Sequence, residues 1–277
     1  MIRAICLSLA LAAPASAEAP RIIALGGSIT EIAVALGAED RLVARDTTST
    51  FPESVQALPD VGYIRALSPE NILALDADLI VAEGDAGPPE AVDVLKAAGI
   101  PFVLVPEAND PAGVLAKIAA VAQALELPKE GAALETSVKA GLARAEQQAL
   151  TVTAPKRVLF ILSLQGGRVM AGGTETGAEG IIRLAGAVNA ASVFQGYKPM
   201  TDEAVLAASP DAILMMDREG DLAITDADVL AHPALSQTPA AKAGAIIRMD
   251  GMLMLGFGPR TPQAALALHE ALYGSGS

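Results

Sequence analysis

Tryptophan is absent from this 277-residue chain, and cysteine, histidine and tyrosine occur only once, twice and three times. A single cysteine excludes disulfide scaffolds and zinc fingers, which need several. It is Cys6, within a segment read below as a cleaved leader, so no cysteine nucleophile remains either. Two histidines, His232 and His269, are too few for an ordinary zinc or manganese site, and a bland surface role is the expectation for both. Basic side chains are scarce: 19 Lys+Arg against 32 Asp+Glu give a net charge of -13, the wrong sign for binding nucleic acid. Neither G-x-G-x-x-G nor the P-loop pattern occurs, which leaves a nucleotide site unsupported. G-x-S-x-G is also missing, and Ser163 has no visible base partner. The chain is nevertheless 52% hydrophobic and only 18% charged, ample apolar side chain to offset the entropy of ordering.

What is present begins with an export signal. Arg3 precedes an apolar run over residues 4–13, then Pro14 and Ala15-Ser16-Ala17. That is a basic start, an apolar stretch of roughly ten residues and an A-x-A cleavage site. It is shorter than the about 20 residues that span a bilayer. Cys6 lies inside the apolar stretch and not just after it, so a lipid anchor is not supported. Residues 1–17 therefore read as a signal peptide, and the exported chain, starting near Glu18, carries 18 basic and 32 acidic side chains.

Short apolar runs then alternate with helical stretches, the grammar of an α/β fold with a mainly parallel sheet. Residues 21–25 read as a buried strand ending at Gly26-Gly27, and Ser28-Ile29-Thr30-Glu31 fits a capping box that opens a helix over residues 32–36. Further strands are expected at residues 41–44, 79–82 and 101–105, with a helix over 89–98. The second half repeats the pattern, with strands at 157–162, 212–216 and 245–249. Between the halves, residues 128–150 carry Pro only at the first position and apolar residues at Leu134, Val138, Leu142 and Ala145. One helix of that length spans roughly 33 Å; two helices broken near Gly131 or Gly141 would read similarly. The expected fold class is thus α/β, two Rossmann-like lobes joined by one long α-helix with a ligand cleft between them. The expected domains are residues 18–127, the linking helix 128–150, and residues 151–277.

The lobes share a repeat. Gly62-Tyr63-Ile64-Arg65-Ala66-Leu67-Ser68-Pro69-Glu70 corresponds to Gly196-Tyr197-Lys198-Pro199-Met200-Thr201-Asp202-Glu203, with a one-residue shift at the Gly-Tyr pair. Each copy is a loop bearing a tyrosine and a base, then a Ser/Thr-capped helix with a glutamate near its start. Tyr63 either serves its own loop or does chemistry: a phenol beside a guanidinium has its anionic form favoured, and tyrosinate is a recognised haem ligand.

Together with Phe160-Ile161-Leu162-Ser163-Leu164-Gln165-Gly166-Gly167 and Leu255-Gly256-Phe257-Gly258-Pro259-Arg260, these segments make the chain resemble the periplasmic haem-binding proteins of bacterial haem ABC importers. The resemblance covers essentially the whole exported chain. It implies haem held edge-on in the cleft, Tyr63 as axial ligand to ferric haem b, and Arg65 steadying the phenolate or a propionate. Some relatives carry a histidine where this sequence has Gln165, which favours five-coordinate iron with Gln165 as a hydrogen-bonding wall. Tyr197 and Lys198 are candidates for contacting the porphyrin or its propionates, and Arg218 and Arg45, in loop-like positions, for facing the propionates.

In related binding proteins, glutamates matching Glu70 and Glu203 dock onto arginines of the permease dimer, one per lobe; the alternative is helix N-terminal electrostatics. The reading is a periplasmic, monomeric receptor that hands haem to an inner-membrane ABC permease with its ATPase, without catalysis. A receptor of the same architecture for a siderophore or corrinoid is the alternative. An exported hydrolase using Tyr63 is disfavoured, since no nucleophile, base and orienting group assemble from these motifs.

Overall fold

The computed structural model describes residues 19–218 and 223–274, with Gln165 described by its backbone alone. The expected signal peptide falls outside these residues. Among them, no helix is long and apolar enough to cross a membrane.

The N-terminal half runs β1 (Ile22–Leu25), α1 (Gly27–Ala35), β2 (Leu42–Arg45), α2 (Pro69–Leu73), β3 (Leu79–Glu83), α3 (Pro89–Ala97), β4 (Phe102–Val105) and α4 (Pro111–Ala124). All of its strands are parallel, in the order β2-β1-β3-β4. β1 lies inside the sheet with all four residues buried, which is why it reads as a continuous apolar run with no alternation. Helix α5 (Pro128–Ala149) follows, 22 residues without a break.

The C-terminal half comprises β5 (Arg157–Ser163), β6 (Val169–Gly172), α6 (Gly177–Leu184), β7 (Val188–Asn189), β8 (Tyr197–Met200), α7 (Asp202–Ala208), β9 (Ala212–Asp217), α8 (Asp226–Ala231), α9 (Pro239–Ala243), β10 (Ile246–Asp250), α10 (Gly251–Leu255) and α11 (Thr261–Tyr273). Its sheet order is β10-β9-β5-β6-β8, with β7 beside the start of β5. Here the mainly parallel expectation holds only for part of the sheet: β6 pairs antiparallel with both β5 and β8. The second tyrosine loop is accordingly no loop, because Tyr197 opens edge strand β8 opposite Gly172.

Gly131 and Gly141 do not break α5. They let its backbone approach its neighbours: a Cβ at Gly131 would lie 2.4 Å from Ala122 Cβ of α4, and one at Gly141 would lie 2.9 Å from Pro262 of α11. Around this helix one buried cluster unites both halves, with Val114, Ile118 and Val121 of α4, Leu142 of α5, Phe160 of β5, Ile181 of α6 and Leu268 of α11. Each half also keeps a smaller cluster of its own under its sheet.

The capping box at Ser28 is not formed. Helix α1 starts two residues earlier, with Gly26 as N-cap at φ 110° and no side-chain cap. Ser28 and Glu31 both turn into the protein and are buried. Of the Ser/Thr caps expected in the repeat, Thr201 caps α7 through its side chain and Ser68 makes no side-chain cap on α2; Thr176 caps α6. Both histidines depart from the surface expectation. His269 is buried, with Nδ1 3.0 Å from the Ala185 carbonyl oxygen. His232 is also buried, and its Nδ1 accepts from the N–H groups of Ala234 (3.2 Å) and Leu235 (3.3 Å). That assigns its proton to Nε2, 3.1 Å from the Gly167 carbonyl oxygen.

Candidate functional site

Parallel strands deliver their following loops to one edge, and in such sheets ligands bind outside the carboxyl ends of the strands. The two sheets turn those edges toward each other. Between them lies a cleft of about 840 Å³. The N-terminal half contributes Thr47 and Thr48 after β2, Glu83 and Asp85 from the end of β3, Glu107 and Asn109 after β4, and the Tyr63-Ile64-Arg65 turn. The opposite wall is more apolar, with Leu162 of β5, Met216 of β9 and Met252 and Leu255 of α10.

Tyr63 is held from behind. Its neighbours Ile64 and Leu67 are buried in the cluster under the first sheet, while the Tyr63 ring, 42% exposed, faces the cleft. Arg65, two residues on, folds back so that its Nη1 donates to the Tyr63 hydroxyl oxygen, with the guanidinium carbon 5.5 Å from the ring centroid. Its Nη2 pairs with Asp85 Oδ2. Burial works against the Arg65 charge, but the Tyr63 hydroxyl and the Asp85 carboxylate more than offset it, so its pKa stands above arginine's ordinary value.

The floor of the cleft is acidic. Glu83, Asp85 and Glu107 bring carboxylate oxygens within 4.8 Å of one another. Lys117 of α4, 2% exposed, rises beneath them, 3.9 Å from Glu83 and 3.7 Å from Glu107. Its Nζ donates to Ser28 Oγ at 2.9 Å and, across the cleft floor, to the Gly256 carbonyl oxygen at 3.2 Å. Ser28 in turn donates to Glu83. Burial raises the Glu83 pKa to about 7; Lys117 opposes this and Glu107 reinforces it. The long Glu83–Lys117 distance agrees with burial prevailing.

The other expected site residues divide. Tyr197 lines the cleft from the opposite half, packed edge-on against Phe160 at 6.3 Å between ring centroids. Desolvation raises its pKa, partly offset by hydrogen bonding to Thr176 and Ala178 and by the Arg65 charge. Lys198, the next residue of β8, is exposed and lies outside the cleft lining. Arg218 follows β9 and borders both the cleft and a second cavity of about 440 Å³ lined by Ser163, Asp228 and His232. Arg45 does not face the cleft: it is the last residue of β2 and pairs with Asp60 at 3.0 Å. Gln165 opens the one-turn helix Gln165–Gly167 after β5. Glu70 and Glu203 stand exposed in the first turns of α2 and α7. The Glu203 pKa is lowered by hydrogen bonds from its own backbone N–H and from Thr201.

Glu83, Asp85, Glu107 and Lys117 escaped the sequence reading because no motif joins residues from β3, β4 and α4; only the folded edge collects them. Asp46 was missed for a different reason. Fully buried, it accepts from the Gly26 N–H (3.0 Å), Thr48 N–H (3.0 Å), Thr48 hydroxyl (2.7 Å) and Ser49 hydroxyl (2.7 Å), fixing the loops after β1 and β2. Asp46-Thr47-Thr48-Ser49 is a readable Asx-turn signal.

Two α/β lobes, one rigid connecting helix and a cleft between the carboxyl edges of the sheets define a substrate-binding protein of the helix-linked class. The chain belongs to the periplasmic binding protein family, whose model matches residues 22–253. Over 91% of this chain and 97% of the other, it is 40% identical to the periplasmic heme-binding protein BhuT, solved with two hemes, with a TM-score of 0.87. With the periplasmic heme-binding protein RhuT from Roseiflexus sp. RS-1 it shares 37% identity over 92% of this chain and 98% of that one, TM-score 0.89. A Bacillus subtilis (strain 168) uncharacterized ABC transporter substrate-binding lipoprotein, YvrC, is 28% identical over 92% of this chain and 81% of its own length. The vitamin B12-binding protein of Yersinia pestis (strain Pestoides F) is 43% identical over 99 residues, 36% of this chain and 35% of its own. The family and these relatives are binding proteins, not enzymes.

Proposed function

We propose that this protein is the haem receptor of an ABC importer, capturing ferric haem b through the Tyr63 phenolate. The observation that carries the reading is Arg65 donating to the hydroxyl oxygen of a half-exposed Tyr63 at the wall of the cleft. A ferric ion coordinates the deprotonated phenol, and the Arg65 guanidinium is placed on the oxygen that would carry that charge. Tyr197, packed edge-on against Phe160 on the opposite wall, offers edge contact to the porphyrin. Met216, Met252, Leu255 and Leu162 supply apolar surface for the macrocycle face, as pockets for flat apolar ligands require. Arg218, whose Nη2 donates to Met216 Sδ at 3.5 Å, is assigned to a propionate, since it lines the cleft and forms no ion pair among the described residues, whereas Arg65 is engaged by Asp85 and Arg45 by Asp60. The relatives described as heme-binding support the ligand class.

In this reading residues 1–17 direct export to the periplasm. Residues 18–127 and 151–277 form the lobes about the helix 128–150, and the protein acts as a monomer without catalysis. Glu70 and Glu203 then engage the inner-membrane permease dimer, whose ATPase drives uptake. Titration of the purified protein with hemin tests the core of the reading. A Soret band with the features of a ferric phenolate complex is expected, lost in Tyr63→Ala and kept in Tyr197→Phe. Parent-like hemin binding by Tyr63→Ala overturns the ligand assignment.

A second reading, a corrinoid receptor, is favoured by the 99-residue identity with a vitamin B12-binding protein. Titration with cyanocobalamin separates the two, and tight cobalamin binding with no hemin binding would replace the first with the second.

A further inference from the structure

We infer that Asp85 is a positioning residue that aims Arg65 at the Tyr63 oxygen, so that the iron–phenolate bond is set by a three-residue relay and not by Tyr63 alone. The inference rests on the haem reading above and adds to it a residue that neither the motif nor the resemblance pointed to.

The geometry of one guanidinium carries it. Arg65 uses different nitrogens for its two partners, Nη1 for Tyr63 and Nη2 for Asp85. A guanidinium is planar and rigid, so fixing one nitrogen fixes where the other points. Arg65 is itself half-exposed, and a long charged side chain on the surface otherwise samples many rotamers. Asp85, by contrast, is well placed to be an anchor. Its loop is stitched to the Tyr63 turn by two backbone hydrogen bonds, Gly87 N–H to the Ile64 carbonyl and Leu67 N–H to the Gly87 carbonyl, both 2.9 Å. The turn closes on itself through Ala66 N–H to the Tyr63 carbonyl at 2.8 Å. Tyr63, Arg65 and Asp85 thus ride on one bonded unit whose back, Ile64 and Leu67, is buried.

Asp85 also has little else to hold. Its Oδ1 is buried and accepts no hydrogen bond among the described residues. Its carboxylate lies beside those of Glu83 and Glu107, which flank Lys117, and Arg65 is the cation with which Asp85 itself pairs. With Arg65 so held, its hydrogen bond withdraws charge from the phenolate and tempers its donation to iron.

Ferric-hemin-loaded full-length protein tests this by resonance Raman measurement of the iron–phenolate stretching frequency. Arg65→Ala removes the donor and is expected to raise the frequency. Asp85→Asn should shift it in the same direction by at least half as much, and Asp85→Glu should stay near the parent. In the Arg65→Ala background, Asp85→Asn should add nothing, as for residues acting through one another. A parent-like frequency in Asp85→Asn overturns the inference, even if the melting temperature falls, as does a shift that persists without Arg65. If the parent itself gives no iron–phenolate mode, the haem reading fails first and this inference falls with it.

Discussion

Arg260 and Glu31, 229 residues apart in the chain, meet across the junction of the two lobes: Nε donates to Oε2 at 2.9 Å and Nη2 to Oε1. Arg260 lies just before α11 and Glu31 within α1, so this forked contact fastens one lobe to the other beside the cleft. The same guanidinium covers the Phe51 ring at 3.7 Å. Burial raises the Glu31 pKa and Arg260 offsets part of that, so the pair is matched to its site but not strongly favoured by it. Together with the Lys117 contact to Gly256, it ties the lobes at two polar points beyond α5.

Arg260→Ala is therefore expected to leave Glu31 buried without its partner. Breaking a buried pair from one side costs roughly 3 kcal/mol, measurable by urea unfolding. Arg260→Lys should recover little of it, because an ammonium replaces neither the fork nor the stacking on Phe51. Parent-like stability of Arg260→Ala would remove the role given to this contact.

Glu83 predicts a pH dependence with a definite sign. Its carboxyl titrates near 7 when folded, against 4.5 as the ordinary value, because burial disfavours the charge. Between these values the folded chain holds a proton that the unfolded chain has released, so this group's contribution to stability is complete at low pH and lost as pH rises through 7. The slope approaches about 1.4 kcal/mol per pH unit. Glu83→Gln, which keeps the hydrogen-bonding outline without the titration, should flatten the stability profile between about pH 4.5 and 7. An unchanged profile would show that Glu83 is not the titrating group.

Gly180 of α6 marks how closely the lobes approach. A Cβ there would lie 2.3 Å from the Asn109 carbonyl oxygen and 2.6 Å from the Phe257 ring. Gly180→Ala should destabilise the protein by about 1–3 kcal/mol, since overpacking against backbone cannot relax freely. It should also displace the loop after β4 that bears Glu107. A neutral or stabilising result in thermal unfolding would mean that the lobes part more easily than the packing implies.

For docking, Glu70→Ala combined with Glu203→Ala should keep full hemin binding and lose stimulation of the permease-bound ATPase. Both residues are exposed at helix starts, where solvent screens the favourable interaction of an acid with the helix N-terminus. Little loss of stability is therefore expected, and unchanged stimulation would assign the two glutamates to helix electrostatics alone.

Period and punctuation made much of the fold legible in the sequence. Buried strands such as β1 and β9 are apolar runs bounded by turn residues, and α5 keeps one apolar stripe from Pro128 onward. Tyr63 stood out because the chain holds so few alternatives and because Arg65 is its near neighbour. The antiparallel pairing of β6 with β5 and β8 was not legible, since four-residue strands carry too little periodicity to show which partner they take. The Ser28-Glu31 signal failed instructively: a capping box and a pair of buried polar residues have the same letters. Which one forms depends on whether Glu83 and Arg260 arrive from elsewhere, as here they do.

The sequence by itself therefore determined the local elements, the acidic balance and the Tyr63-x-Arg65 pairing, because each depends on residues within a few positions of one another. Only the tertiary structure decided that Asp85 meets Arg65, that Lys117 stands beneath three carboxylates, and that Arg260 joins Glu31. Those contacts require chain ends of different strands to converge on one edge, and convergence is a property of sheet topology and packing that no local pattern encodes.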